Sequence, residues 1–379
     1  MKYLNDDRNP RLARGLLDQI GEATSRPVTL LDAVGGQALN LLRFGTDRQL
    51  PEGLKLVHGP ACPVCALPPE RIDEAVAVAE TPGVTLCAPG DLLRVPGTGA
   101  TLEAVRARGG DVRTVYSALD ALAMARKNPN RSVVYLAAGF ETTAPAAASA
   151  VLEADRLGLE GFTLLNAQLR TIPGLAAALD APAVSARALL APGPVATVIG
   201  LGGFESLTAR YGVPVVVTGP EPLDLLEGIL RAVRQIDRGA ARVENQYARA
   251  VRADGSPLAI EVINTVFEPA DVIWRGLGEV VAGGLALRER FRRFDATARL
   301  GLTAHPTSHR RGPAGCRCGE VIAGAIRPDA CPAFAALCAP DHPLGAPMVS
   351  PDGTCSAYHR YRRLSHAPRS SDPLLIAED

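Results

Sequence analysis

The chain has 379 residues, too long for one ordinary core and suited to two or three domains of roughly 100–200 residues each. Forty Lys plus Arg balance forty Asp plus Glu with no long block of like charge, which excludes a nucleic-acid footprint or an anionic-membrane patch and moves the search for partners from bulk charge to sites. With 47% apolar but only 4% aromatic residues, its cores are expected to be built mainly from Ala, Val and Leu.

The amino-terminal stretch MKYLNDDRNPRLARG carries no apolar h-region. No apolar run reaches the roughly 18 residues of a membrane span, so a cytoplasmic location is the expectation. From residue 28 to 218 short β-rich runs alternate with Ala/Leu-rich stretches, the pattern of βα units on parallel sheets. The predicted strands are VTLLDAV from Val28, LKLV from Leu54, VTLC from Val84, VRTVY from Val112, SVVYLAAG from Ser132, FTLL from Phe162, VATVIG from Val195 and PVVVTG from Pro214. Helices are predicted over 67–80, 117–127 and 222–236, where apolar residues recur at helical spacing, and two of the three have Pro near the first turn. The polar KNPNR at 127–131 reads as a break that parts the first four strands from the next four. The expectation is therefore an α/β protein with two doubly wound parallel-sheet domains, 1–129 and 130–240, followed by a smaller Cys-rich domain over 241–379.

Four predicted strands end in Gly/Pro-rich polar turns: HGPACPVC, APGDLLRVPG, GFETTAP and TGPEPLD. In doubly wound sheets the carboxyl ends of the strands border the ligand crevice, so these turns are expected to share a site. In GFETTAP, Thr143 stands where it can cap a helix with Pro145 in its first turn, leaving free amides for a small anion. Neither a dinucleotide fingerprint nor a P-loop occurs in the right context.

The eight Cys fall in two groups with none between: Cys62, Cys65 and Cys87, then Cys316, Cys318, Cys331, Cys338 and Cys355. That segregation does not fit a secreted disulfide scaffold. Cys62-Pro-Val-Cys65 lies between a strand and a helix, the setting of a redox pair; half of a zinc site and two inert thiols are the alternatives. Cys87 sits inside a strand and reads as a small core residue. The tail thiols, at spacings of 2, 13, 7 and 17, lie in a segment poor in core residues and imply a metal, zinc or an iron–sulfur cluster. The lack of paired Cys-x2-Cys knuckles favours iron–sulfur. His309, His342 and His359 keep a mixed zinc site open.

Taken in order, HGPACPVC, APGDLLRVPGT, AAGFETTAP, GPVATVIG, GPEPLD, ENQYARAV, WRGLG and the tail CRCGE...C...C...VSPDGTC resemble the HypD family of [NiFe]-hydrogenase maturation proteins. The resemblance implies a redox-active scaffold with a [4Fe-4S] domain, on which iron acquires cyanide and carbon monoxide ligands in company with a HypC-type chaperone and a HypE-type cyanide donor. Carried over by position, it implies that Cys62 and Cys65 are the family's paired thiols. Asp91, Arg94, Glu141, Thr142 and Thr143 become polar cleft residues. Cys316, Cys331, Cys338 and Cys355 become the cluster ligands, with Cys318 spare. The sequence departs from the pattern where the family has Cys-Gly-Gly/Thr-His-Thr, which reads Val34-Gly35-Gly36-Gln37-Ala38 here; Gln168 and Pro194 replace His, Pro347 a tail Cys, and Asp352 a Glu. Val34 offers a transient mononuclear iron no lone pair. A divergent iron–sulfur/dithiol oxidoreductase and a noncatalytic HypC-binding paralogue are accordingly the competing readings.

Overall fold

A computed structural model describes residues 9–182, 184–302 and 315–362. In chain order its strands are β1 (Val28–Asp32), β2 (Leu54–His58), β3 (Val84–Ala88), β4 (Val112–Thr114), β5 (Ser132–Gly139), β6 (Phe162–Gln168), β7 (Ala188–Pro192), β8 (Val215–Thr218), β9 (Val243–Asn245), β10 (Phe267–Trp274) and β11 (Gly278–Leu287). One all-parallel sheet has the order β2-β1-β7-β8-β9 and the other, also all-parallel, β4-β3-β5-β6.

Both faces of each sheet are covered, and the strand residues divide between them with period two. In β5, Val134 and Leu136 point to one apolar cluster while Val133, Tyr135 and Ala137 point to another. Helices Pro69–Glu80 and Leu102–Ala107 contribute to the first cluster, and helices Ala118–Lys127 and Ala144–Arg156 to the second. In the other sheet, Leu190 and Val216 face helices Pro10–Ala23 and Pro222–Asp237, and Leu189, Val215 and Val217 face helices Thr171–Asp180 and Gly202–Tyr211. Each fully buried Leu or Val contributes roughly 1.5–3 kcal/mol, so any register slip that exchanged the faces would be heavily penalised. The α/β class with parallel sheets flanked by helices is thus present. The predicted helices at 67–80, 117–127 and 222–236 form at Pro69–Glu80, Ala118–Lys127 and Pro222–Asp237.

Two expectations are corrected. The run VATVIG is not a strand: it lies in helix Gly193–Ile199, with Pro194 in its first turn, and the strand before it is Ala188–Pro192. A short β-branched run carries no period that separates strand from helix, and here the buried slot between β1 and β8 is filled by ALLAP instead. The break at 127–131 does not separate the sheets either. β3 and β4 before it and β5 and β6 after it share one sheet, whereas β1 and β2 share the other with strands that follow 187, β1 pairing directly with β7. The chain leaves the first sheet after β2, builds the second, and returns.

Beyond residue 240 lies an antiparallel hairpin, β10–β11, whose turn carries Gly276 and Gly278 at φ 81° and 76°. It lies beside β6: Arg170 N–H donates to the Gly283 carbonyl at 2.8 Å, and the Asn166 amide donates to the Leu285 carbonyl. The Trp274 ring lies over Gly174 so closely that a Cβ there would be 2.2 Å from it. The segment 315–362 follows with short helices, the longest being Thr354–Arg362. No helix among the described residues is long and apolar enough to cross a membrane.

Candidate functional site

The loop after β2 carries Cys62 and Cys65 into helix Pro63–Ala66, where Cys62 is the N-cap and its Sγ accepts the Cys65 N–H at 3.1 Å. The two sulfurs form a disulfide. Both residues are buried, in a cluster that joins Leu136 and Phe140 of the second sheet to Trp274 of the hairpin and to Ile322, Ala346 and Val349 of the carboxyl-terminal segment. Ser350 Oγ lies 3.4 Å from Cys62 Sγ. A half-cystine sulfur carries no proton, so the hydroxyl is the donor there.

Around this disulfide the loops after β1 and β3 and the 350–352 turn come together. A Cβ on Gly35 would lie 2.9 Å from the Ala61 carbonyl, and one on Gly36, at φ 77°, would lie 3.4 Å from Asp352 Oδ1. Asp91, half-buried after β3, has its carboxyl held above the ordinary range by burial and, more weakly, by the charge of Asp352, against hydrogen bonds from its own and Leu92 amides. Burial raises Asp352 as well. Two carboxylates reluctant to ionise therefore share the cleft with the disulfide. Arg94 is exposed.

The GFETTAP turn after β5 divides its residues between different tasks. Glu141 is buried, and its carboxylate accepts the Thr171 amide at 2.9 Å and the Thr171 hydroxyl at 2.6 Å, holding the start of helix Thr171–Asp180. Burial raises the Glu141 carboxyl, and those bonds oppose it. Thr142 and Thr143 are exposed. Thr143 is the N-cap residue of helix Ala144–Arg156, but its hydroxyl donates back to the Phe140 carbonyl at 3.1 Å and does not cap the helix. In the same way, GPEPLD and ENQYARAV interlock: Arg249 donates to both oxygens of Asp224 at 2.6 Å, and Gln246 bonds Asp224 and the Gly219 amide.

Val34 is buried among Leu30, Leu41 and Leu54 under the first sheet. Gln37 is fully buried; its amide nitrogen donates to Thr218 Oγ1 at 2.8 Å and to the Gly219 carbonyl at 2.7 Å, while its Oε1 has no partner among the described residues. A buried group that sequence reasoning missed is His58, whose Nδ1 lies 3.1 Å from Asp32 Oδ2 and whose Nε2 is 3.5 Å from the Tyr358 hydroxyl. It ties the tail helix to the ends of β1 and β2.

The tail cysteines meet. Cys316, Cys318, Cys331, Cys338 and Cys355 line one small pocket with Val321, Phe334, Gly345, Pro347 and Met348. A Cβ on Gly345 would approach Cys318 Sγ to 2.9 Å and Cys316 Sγ to 3.4 Å, so only glycine leaves the thiols this space. The Leu344 amide donates to Cys338 Sγ at 3.4 Å. Cys316 donates to Cys318, the chief cause of the lowered Cys318 pKa, and the Arg275 charge acts in the same direction against burial. Burial and the neighbouring thiols push Cys355 well up. Cys87 is buried in β3, as a core residue. His342 and His359 do not line the pocket; His305, His309 and His366 lie outside the described residues. No set of three His, Cys, Asp or Glu among the described residues converges tightly enough to hold an ion. The donor chemistry nonetheless fits a thiolate-bound group: five soft donors around a space that a single Cβ would obstruct, with an amide directed at one sulfur.

The hydrogenase formation family HypD matches residues 11–362. The chain belongs to the HypD family. It is 41% identical over 370 residues to the hydrogenase maturation factor HypD of Rhodobacter capsulatus, covering 95% of this chain and 98% of that protein. The HypD of Azotobacter vinelandii is 40% identical over 376 residues, 97% of this chain and 98% of its own. That of Escherichia coli K12 is 39% identical over 371 residues, 96% of this chain and 99% of its own. The alignments thus run through both sheets, the disulfide loop and the thiol pocket of this HypD-family chain.

Proposed function

We propose that the chain is a hydrogenase maturation scaffold on which a mononuclear iron acquires cyanide and carbon monoxide ligands, acting in the cytoplasm with a HypC-type chaperone and a HypE-type cyanide donor. The observation that carries this reading is the joining of the buried Cys62–Cys65 disulfide and the five-thiol pocket through one shared region of the carboxyl-terminal segment. Cys316, Cys331, Cys338 and Cys355 would hold a [4Fe-4S] cluster, with Cys318 spare; bound there, the cluster supplies one-electron redox chemistry. The Cys62–Cys65 disulfide would take up two electrons and two protons from a dithiol reductant, itself oxidised to a disulfide, to become a dithiol, and Ser350 is placed to orient the Cys62 sulfur. Asp91 and Asp352, both held above the ordinary carboxylate range by burial, stand on the side of the cleft that would receive the iron.

One observation favours the second reading, a paralogue that has lost iron carriage. Val34 is packed in the core and the Gln37 amide nitrogen is engaged by Thr218 and Gly219, so neither supplies the thiolate or imidazole of the family pattern. Complementation of a strain lacking its own maturation factor separates the two: restored hydrogenase activity supports the scaffold, and its absence despite soluble, cluster-loaded protein supports the paralogue. The cluster is tested independently. Protein purified without oxygen should contain about four iron and four sulfide per chain, lost on Cys331→Ala or Cys338→Ala and largely kept on Cys318→Ala. Zinc without sulfide would rule the cluster out.

A further inference from the structure

Arg275 is the first residue of the hairpin turn, and only 7% of it is exposed. Its backbone N–H donates to the Ala66 carbonyl at 2.7 Å and its Nε to the Leu67 carbonyl at 2.8 Å, both at the end of the short helix that contains Cys65. Nη1 reaches to 4.0 Å from Cys318 Sγ in the thiol pocket, and Nη2 has no hydrogen-bond partner among the described residues. No carboxylate pairs with it among the described residues. The turn is pinned on its other side, because Gly276, at φ 81°, lies so near Gly319 that a Cβ would be 2.1 Å from the Gly319 carbonyl oxygen.

A guanidinium stays protonated at any pH the fold survives, so this charge cannot be relieved by neutralisation. A buried ion without a counter-charge costs several kcal/mol. The pocket thiol it reaches is Cys318, the spare one in the ligand set given above, so the charge acts on the cluster's thiolates across that sulfur and not by bonding a ligand. We propose that Arg275 is the fixed counter-charge of the thiolate-bound cluster, and that it sets the cluster's reduction potential while tying the pocket to the disulfide segment. This rests on the cluster reading given above. A positive charge held near a redox centre favours the more negative, reduced form and so raises the potential. The Nε bond to the Leu67 carbonyl and the backbone bond to the Ala66 carbonyl hold the residue in place, so the charge stays beside the pocket when it gains an electron. Arg275 is thus a positioning residue that acts on the cluster and not a ligand of it.

The test uses the full chain purified without oxygen, with iron and sulfide assayed first and the midpoint potential then followed by electron paramagnetic resonance. Arg275→Gln keeps a hydrogen-bond donor near Leu67 but removes the charge; Arg275→Lys keeps the charge. Arg275→Gln should retain the wild-type iron and sulfide and lower the one-electron equilibrium constant at least tenfold, which is 59 mV, while Arg275→Lys restores most of the difference. A Gln variant without cluster beside a loaded Lys variant of near wild-type potential also supports the assignment, since the charge is then what loading requires. Unchanged potential in a loaded Gln variant overturns it, and so does loss of cluster in both variants, which would show a guanidinium acting only as a structural bracket. Absence of iron and sulfide from the wild-type chain would instead remove the cluster reading itself, before any variant is compared.

Discussion

Cys62 and Cys65 are bonded to each other yet almost wholly enclosed, so their chemistry depends on what reaches them through the protein and not on solvent. Reduction followed by alkylation under native conditions should add two labelled thiols to the count of the oxidised protein, slowly because of the burial, and Cys62→Ser should abolish the change. A pair that stays unreactive until the chain is denatured would be a structural bridge. Nearby, Asp91 is raised by burial and then by Asp352. Its folded pKa therefore lies above its unfolded value, and the folded state retains a proton that the unfolded state has already released. Stability then falls as pH rises through that interval and is fully kept below it. Asp91→Asn should accordingly gain stability relative to the parent at neutral pH and lose that advantage as the pH approaches about 4, as denaturant midpoints at the two pH values will show. A gap that widens on acidification would mean the sign is wrong.

The hairpin is the element that brings the distant parts of the site together. WRGLGEVV places a Gly-x-Gly between two β-rich runs, yet no hairpin is predicted there, because periodicity is weak beyond residue 240. Pro269 and the register shift between Ala270 and Val272 break their alternation. Trp274 anchors the hairpin by filling the space over Gly174 and donating its indole N–H to the Gly283 carbonyl at 3.0 Å. Gly174→Ala would force the ring or the helix aside, so a loss of about 1–3 kcal/mol in the denaturant-derived unfolding free energy is expected. A variant within a few tenths of the parent would show that the ring can shift freely. The strands of both sheets, in contrast, could mostly be read from the chain because each is short, apolar and followed by a polar turn. ALLAP escaped for a local reason: it has no β-branched residue, and VATVIG beside it has four.

At the scale of the whole molecule, the chemistry-bearing cysteines were legible because soft ligands stand out in any sequence. Their partners were not, since Arg275, Ser350, Asp352 and Tyr358 act on groups between 43 and 316 residues away in the chain. The same long-range assembly makes the altered motif after β1 informative. Gly35 and Gly36 still meet the Ala61 carbonyl and Asp352, so the loop keeps its course into the cleft although Val34 has turned its side chain to the core. On the function proposed above, a cleft preserved in shape but lacking one thiolate and one imidazole should hold the iron fragment more weakly than a cleft with the complete motif, because an isopropyl group has no lone pair and the Gln37 amide nitrogen is already committed. Purified together with a HypC-type partner, the chain should show weak cyanide and carbonyl stretching bands, and the double change Val34→Cys and Gln37→His should strengthen them severalfold. The buried Val34 site makes a small thiol the conservative choice there, so the variant is expected to stay folded. Strong bands from the unaltered complex, with no gain on restoring the motif, would show that the Cys62 and Asp352 side of the cleft holds the iron by itself.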